Sequence, residues 1–148
     1  MLIHGQNNIY LYTPSDDYFG QDTVKFTVSD LEWTSNEATV VIDILPINDA
    51  PITFDQYFTL EEDSDYQIEL TSQDIENDLI VYTIVDYPLY GDLISIESSS
   101  YNYIPDENYF GQDFITYKAF DGYEYSNVSQ ITFEILGVND PPESTTFP

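Results

Sequence analysis

One block of residues occurs twice in this chain, and the two copies stand 91 residues apart without a gap. Tyr12-Thr13-Pro14, Tyr18-Phe19-Gly20-Gln21-Asp22, Asp30, Ser35-Asn36 and Asn48-Asp49-Ala50-Pro51 make the first copy. Tyr103-Ile104-Pro105, Tyr109-Phe110-Gly111-Gln112-Asp113, Asp121, Ser126-Asn127 and Asn139-Asp140-Pro141-Pro142 make the second. Leu2-Ile3 falls on Leu93-Ile94 at the same offset. A fixed period means tandem architecture, here with a domain-sized unit in place of a short solenoid turn. The expected organisation of the 148 residues is the C-terminal part of a truncated repeat at 1–47, a linker at 48–51, a complete repeat at 52–138, and a linker with the start of another repeat at 139–148.

Within each copy the apolar residues alternate with a period of two, the spacing of a strand with one buried face. Val24, Phe26 and Val28 form one such set and Val40, Ile42 and Ile44 the next; their second-copy equivalents are Ile115, Tyr117, Ala119 and Ile131, Phe133, Ile135. No helical period is present. Seven runs, A to G, fill the complete repeat at about 52–60, 66–70, 79–85, 91–96, 100–103, 114–120 and 128–136. Turn-forming Asp, Asn, Gly and Pro separate them. Seven short strands in a module of this length predict an all-β, Greek-key sandwich of immunoglobulin-like or cadherin-like architecture. Residues 1–47 correspond to strands D to G alone. They are therefore expected to be poorly ordered, or to be completed by another copy or a separate chain.

Charge narrows the function. Asp and Glu number 28 against Lys25 and Lys118, giving a formal net charge of −26. Such a chain lacks the positive face that a nucleic-acid binder needs. Disorder is excluded as well, since 42% of the residues are hydrophobic and 16% aromatic. No apolar run is long enough to span a membrane as a helix, and without cysteine there are no disulfides or thiolate metal sites. Cations that neutralise the carboxylates in the folded state reconcile a sizeable core with so much negative charge.

Letting successive strands run in opposite directions sorts the acids to two poles. The upper pole receives Asp74, Glu76 and Asp78 from the B–C loop, Asp121 from the end of strand F, and Asn48 and Asp49 from the linker, with Asp22 of the preceding module close by. The lower pole receives Glu62, Asp63, Asp113, Asn139 and Asp140, a half-built set. Carboxylates two residues apart can converge on one ion, and a hard cation such as calcium takes six to eight oxygen ligands at about 2.3–2.6 Å. The set is not an EF-hand. Each acid taken singly is also an ordinary turn residue.

The combined string, Tyr-x-Pro, Tyr-Phe-Gly-x-Asp, an aromatic strand, Asp-Gly, Ser-Asn and a closing Asn-Asp-x-Pro, resembles the cadherin-like tandem repeats of very large bacterial surface proteins. It is more distantly similar to animal cadherins, whose paired motifs match Asp74-Ile75-Glu76 and Ala119-Phe120-Asp121. The first copy departs from the pattern with Asp30-Leu31 in place of Asp-Gly. The resemblance implies an extracellular, non-enzymatic spacer of a cell-surface adhesion protein. Its partners would be neighbouring repeats, and calcium at the junctions would fix the angle between modules. Two other readings stay open: recognition of glycan or protein through Trp33, Tyr123 and Tyr125 of the F–G loops, and a filament subunit completed by strands of a neighbouring copy. Catalysis is disfavoured, because His4 is the sole histidine and the acids lie in open loops. Tyr18-Phe19 and Tyr109-Phe110 are expected to plug the core beside a glycine turn, and Asn127-Val128-Ser129 matches a glycosylation acceptor.

Overall fold

The period-two pattern becomes strands throughout. In the computed structural model, residues 2–4 and 9–141 are described, and the chain divides into two units, residues 1–48 and 49–148. The first unit holds β1 (Leu2–His4), β2 (Tyr10–Tyr12), β3 (Gly20–Phe26) and β4 (Ala38–Ile44). These form two antiparallel pairs, β1 with β2 and β3 with β4, the latter seven residues long. Phe26, Val28 and Val40 stay exposed on this unit, while Val24, Ile42 and Ile44 are half-buried.

The second unit holds β5 (Ile52–Thr53), β6 (Gln56–Glu61), β7 (Tyr66–Glu69), β8 (Ser72–Gln73), β9 (Val81–Asp86), β10 (Gly91–Ser95), β11 (Ser100–Pro105), β12 (Gly111–Phe120) and β13 (Ser129–Leu136). One sheet has the order β6-β13-β12-β9 and a second has β10-β11-β7, with β5 and β8 as a short separate pair. All contacts are antiparallel except β6 with β13, which is parallel. Ile115, Tyr117, Ile131, Phe133 and Ile135 project inward from the first sheet, and Ile68 and Tyr103 meet them from the second. The Tyr103 and Phe133 rings stack 4.0 Å apart at 5°, joining the two layers.

Seven predicted runs have become nine strands, because run A breaks in two and a short strand, β8, follows run B beyond its predicted end. Run A leaves β8 after Thr53 and rejoins beside β13 at Gln56. Thr53 is taken up by a side chain in the meantime: its N–H donates to Asn127 Oδ1 at 3.0 Å, and Asn127 Nδ2 donates to its carbonyl at 3.0 Å. The carbonyls of Phe54, in the break of run A, and of Thr71, between β7 and β8, both accept from the buried Tyr117 hydroxyl at 3.0 Å. Backbone acceptors freed inside a protein need such partners. Asn127 is thus a clasp between run A and β13. Phe110 is also displaced from expectation: Tyr109 packs on the core and stacks on Tyr90 at 4.3 Å, whereas Phe110 is largely exposed.

Candidate functional site

The repeated motif residues bond to one another, and they do so alike in both units. Tyr18 donates its hydroxyl to the Gln21 carbonyl at 2.9 Å, as Tyr109 does to Gln112. Gln21 Nε2 donates to Asp43 at 2.8 Å, as Gln112 does to Glu134. Ser35 Oγ accepts from Val28 N at 3.0 Å and Ser126 Oγ from Ala119 N at 2.8 Å, across an irregular end of the hairpin. In the turn that follows, Asp30 Oδ1 accepts from the N–H groups of Glu32 and Trp33, and Asp121 Oδ1 from those of Tyr123 and Glu124. These bonds hold the Asp30 carboxyl below the usual carboxylate range, with the Trp33 amide the larger cause. Gly122 takes a left-handed φ of 103° in this turn, and Leu31 is forced to 82° at the same place.

The Asp that closes each motif is a staple. Asp113 is buried and its Oδ1 accepts from Leu89 N and Phe114 N at 3.0 and 2.9 Å. Its Oδ2 accepts from Tyr90 N and the Tyr103 hydroxyl at 3.0 and 2.9 Å. Burial, then the bond to Asp113, pushes the Tyr103 phenol far above its usual range. Asp22 makes the matching pair with Tyr12, whose hydroxyl donates at 2.8 Å, and accepts from Thr23 N at 2.7 Å. The Tyr12 bond, then the Thr23 amide, keeps the Asp22 carboxyl below its ordinary value.

The other acids divide by what their oxygens already hold. Of the upper set, Asp22 and Asn48 belong to the first unit, and Asp49, Asp74, Glu76, Asp78 and Asp121 to the second. Asp49 N donates to Glu76 Oε2 at 3.3 Å, which ties the linker to the loop after β8. Asp74 Oδ1 accepts from Asp78 N at 2.8 Å, while Asp74 Oδ2 is buried without a hydrogen-bond partner among the described residues. Of the lower set, Glu62 is buried and accepts from Val138 N at 2.6 Å, clasping the chain as it leaves β13. Asp63 Oδ1 accepts from Asn108 N at 3.2 Å. Asn139 and Asp140 are exposed, joined by an Asn139 Nδ2 bond to the Asp140 carbonyl at 3.2 Å. Among the described residues, no three carboxylate or imidazole side chains gather closely enough to hold a metal ion. Asp74 and Asp113 differ in what their oxygens hold: Asp74 Oδ2 has no hydrogen-bond partner among the described residues, whereas both Asp113 oxygens accept two bonds each.

Sequence reasoning placed Asp22 and Asp113 at the poles from the alternating directions of successive strands, and it named no bonding partner for either. The signal that could have found one is Tyr12 recurring with Asp22 as Tyr103 does with Asp113, at identical spacing. The loop aromatics Trp33, Tyr123 and Tyr125 are exposed, so core packing is not their role. Phe120 and Tyr125 face each other at 4.6 Å and 34°, and Lys118 Nζ lies 3.9 Å from the Tyr125 ring centre.

Residues 2–43 and 48–134 match the family model described as bacterial Ig domain. Among solved structures, the first two domains of human mucin-like protocadherin are similar at a TM-score of 0.61 and 16% identity, over 90% of this chain and 77% of that one. An endo-fucoidan hydrolase from glycoside hydrolase family 107 is similar at 0.48 and 14% identity, over 93% of this chain. This chain spans 22% of that hydrolase's length. No curated protein matches the sequence. The protocadherin likeness establishes an Ig-like and cadherin-like fold, and the hydrolase likeness is too low to carry an argument.

Proposed function

We propose a spacer function for this chain, which belongs to the bacterial Ig domain family: a structural module of a long cell-surface protein, with calcium bound at the upper pole of the second unit. The family and the cadherin-like fold both support a non-enzymatic, extracellular module. No helix among the described residues is long and apolar enough to cross a membrane. The observation that carries the calcium reading is Asp74 Oδ2, buried and without a hydrogen-bond partner among the described residues, in a loop already bonded to the linker through Glu76 and Asp49. A buried carboxylate oxygen without a partner is unfavourable, and a cation removes that penalty. Asp74, Glu76 and Asp78 would supply carboxylate oxygens, with Asn48 and Asp49 as further donors in the linker. Calcium would neutralise repulsion among these acids and restrict the linker, so that successive repeats keep a fixed angle. Thermal unfolding in millimolar calcium and in excess chelator, at matched ionic strength, tests this. An ion at one hundred times its Kd stabilises by about 2.7 kcal/mol, and Asp74→Asn should remove most of that gain. Superimposable melts in the two solutions would refute it.

A second reading has its own observation. The exposed Tyr125 with the half-buried Phe120 and Lys118 against it forms an aromatic face carrying a cation, suited to stacking on a sugar ring. Glycan binding abolished by Tyr125→Ala and indifferent to chelator would favour that reading.

A further inference from the structure

The segment that leaves the second unit contains a peptide bond that its counterpart at residues 48–51 lacks. Asp140 is followed directly by Pro141, the one Asp-Pro bond in the sequence, whereas Asp49 at the matching place is followed by Ala50. A peptide to proline is a tertiary amide, so its nitrogen leaves as a secondary amine and takes up a proton more readily than an ordinary amide nitrogen. An aspartate carboxylate can reach its own backbone carbonyl carbon and close a succinic-anhydride ring. The surroundings of Asp140 favour that attack. Asn139 Nδ2 donates to the Asp140 carbonyl oxygen at 3.2 Å, within hydrogen-bond range. That oxygen gains negative charge when its carbon is attacked, and a donor already in place lowers the barrier. The exposed Asp140 carboxylate accepts no hydrogen bond from a described residue, so no bond has to break before it moves. Upstream, the buried Glu62 carboxylate accepts from Val138 N at 2.6 Å and anchors the chain just before Asn139. Proline restricts the Asp140 backbone from the other side.

We propose that the chain cleaves its own backbone between Asp140 and Pro141. One carboxylate oxygen of Asp140 attacks the Asp140 carbonyl carbon, and Asn139 Nδ2 donates to the oxyanion that forms. The oxyanion collapses, the bond from that carbon to the Pro141 nitrogen breaks, and the nitrogen departs with a proton from solvent. Water then opens the anhydride on Asp140 to two carboxyl groups and returns a proton to solvent. The sum is hydrolysis of one peptide bond, and each molecule reacts once. The products are a chain ending in Asp140 and a chain beginning with Pro141, which makes the downstream linker a point of release. The bond between Asp49 and Ala50 is spared, because its nitrogen is that of an ordinary secondary amide. The step is independent of the calcium reading at the upper pole.

The test incubates the full chain in one mildly acidic buffer made with heavy-oxygen water and follows it by mass spectrometry. Fragments that end at Asp140 and begin at Pro141 are expected. Heavy oxygen should enter the side-chain carboxyl of Asp140 as well as its new backbone carboxyl, since water opens an anhydride at either carbonyl. Asp140→Ala should abolish the cut. Asn139→Ala should slow it by about fivefold, less than the loss of a buried oxyanion donor, because water fills part of the gap. Urea sufficient to unfold the second unit should slow the unaltered chain by a similar factor. Absence of the fragments, or heavy oxygen confined to the new carboxyl, would overturn the proposal. So would a rate unchanged by Asn139→Ala or by urea, which would leave only the lability common to Asp-Pro bonds.

Discussion

Phe133 and Ile42 hold the same place in the repeat, yet one is sealed against Tyr103 and the other is half-open. The two units share their turn bonds: the tyrosine-to-carbonyl bond, the Ser-to-amide bond and the Asp-capped turn form in both. They differ in what lies over the sheet. Each shared bond joins residues close in sequence or directly across a hairpin, so it needs only local geometry. Burial needs strands from elsewhere, and the largest stabilising term, removal of apolar area from water, scales with that cover. The repeated letters therefore specify a hairpin with its turns, and the stability of the module lies in its other half.

Matched substitutions sharpen this contrast. Phe133→Ala should destabilise the second unit by about 4 kcal/mol, through lost burial and the cavity left against Tyr103. Ile42→Ala at the equivalent place should change stability by less than about 1 kcal/mol, because its site is already partly open to water. Urea unfolding of each variant compares them, and equal losses would break the contrast. Asp113→Asn comes next. The amide nitrogen would face the Tyr90 N–H or the Tyr103 hydroxyl, leaving a buried donor unmet at a loss of about 2 kcal/mol. Asp22→Asn should leave the same unfolding midpoint unchanged.

The turn glycine gives a smaller effect, of opposite sign in the two units. Leu31 sits at a φ of 82° that suits glycine, so Leu31→Gly should slow amide exchange at Ser29 and Trp33. Gly122→Leu should destabilise the second unit by about 1 kcal/mol. That loss would be conformational, since nothing lies within 4 Å of a Cβ added at Gly122. The smallest effect is a titration. Asp30 is held below its ordinary value of 3.8 by the Trp33 and Glu32 amides. A carboxyl with a lowered folded pKa stabilises above its unfolded value, and that contribution is lost as pH falls through the folded one. Carboxyl NMR should therefore find the Asp30 midpoint below 3.8, with the turn around Trp33 loosening only in more acidic solution. A midpoint at or above 3.8 would show that the turn bonds do not persist in water.

The strand pattern was readable because period-two alternation reports directly on which side of a sheet is covered. Gly111–Phe120 and Ser129–Leu136 lie where the Ile115 and Ile131 sets put them. The break in run A was not readable. Thr53 and Gln56 belong to different pairings only because Asn127 and Ser129, more than seventy residues on, take up the Thr53 backbone and hydroxyl. Asn127 itself read as a glycosylation acceptor, but both ends of its amide are bonded to Thr53. Carboxylates were the hardest to read, since spacing cannot tell an oxygen that awaits a ligand from one already engaged. Asp74 and Asp113 look equally available in the sequence. Only the Tyr103 hydroxyl and three amides distinguish them.

The parallel pairing of β6 with β13 has a mechanical consequence. Six residue pairs, Gln56 with Ile131 through Glu61 with Leu136, lie between the strand that enters the second unit and the strand that leaves it. Tension between residues 55 and 137 pulls these strands past each other along their length. The ladder is then loaded in shear, so its hydrogen bonds share the force and must yield together, where a peeling geometry would break them one at a time. The Glu62 bond to Val138 N clamps the downstream end of that ladder. A module held this way resists stretching through a small patch of backbone, whichever side chains decorate its surface.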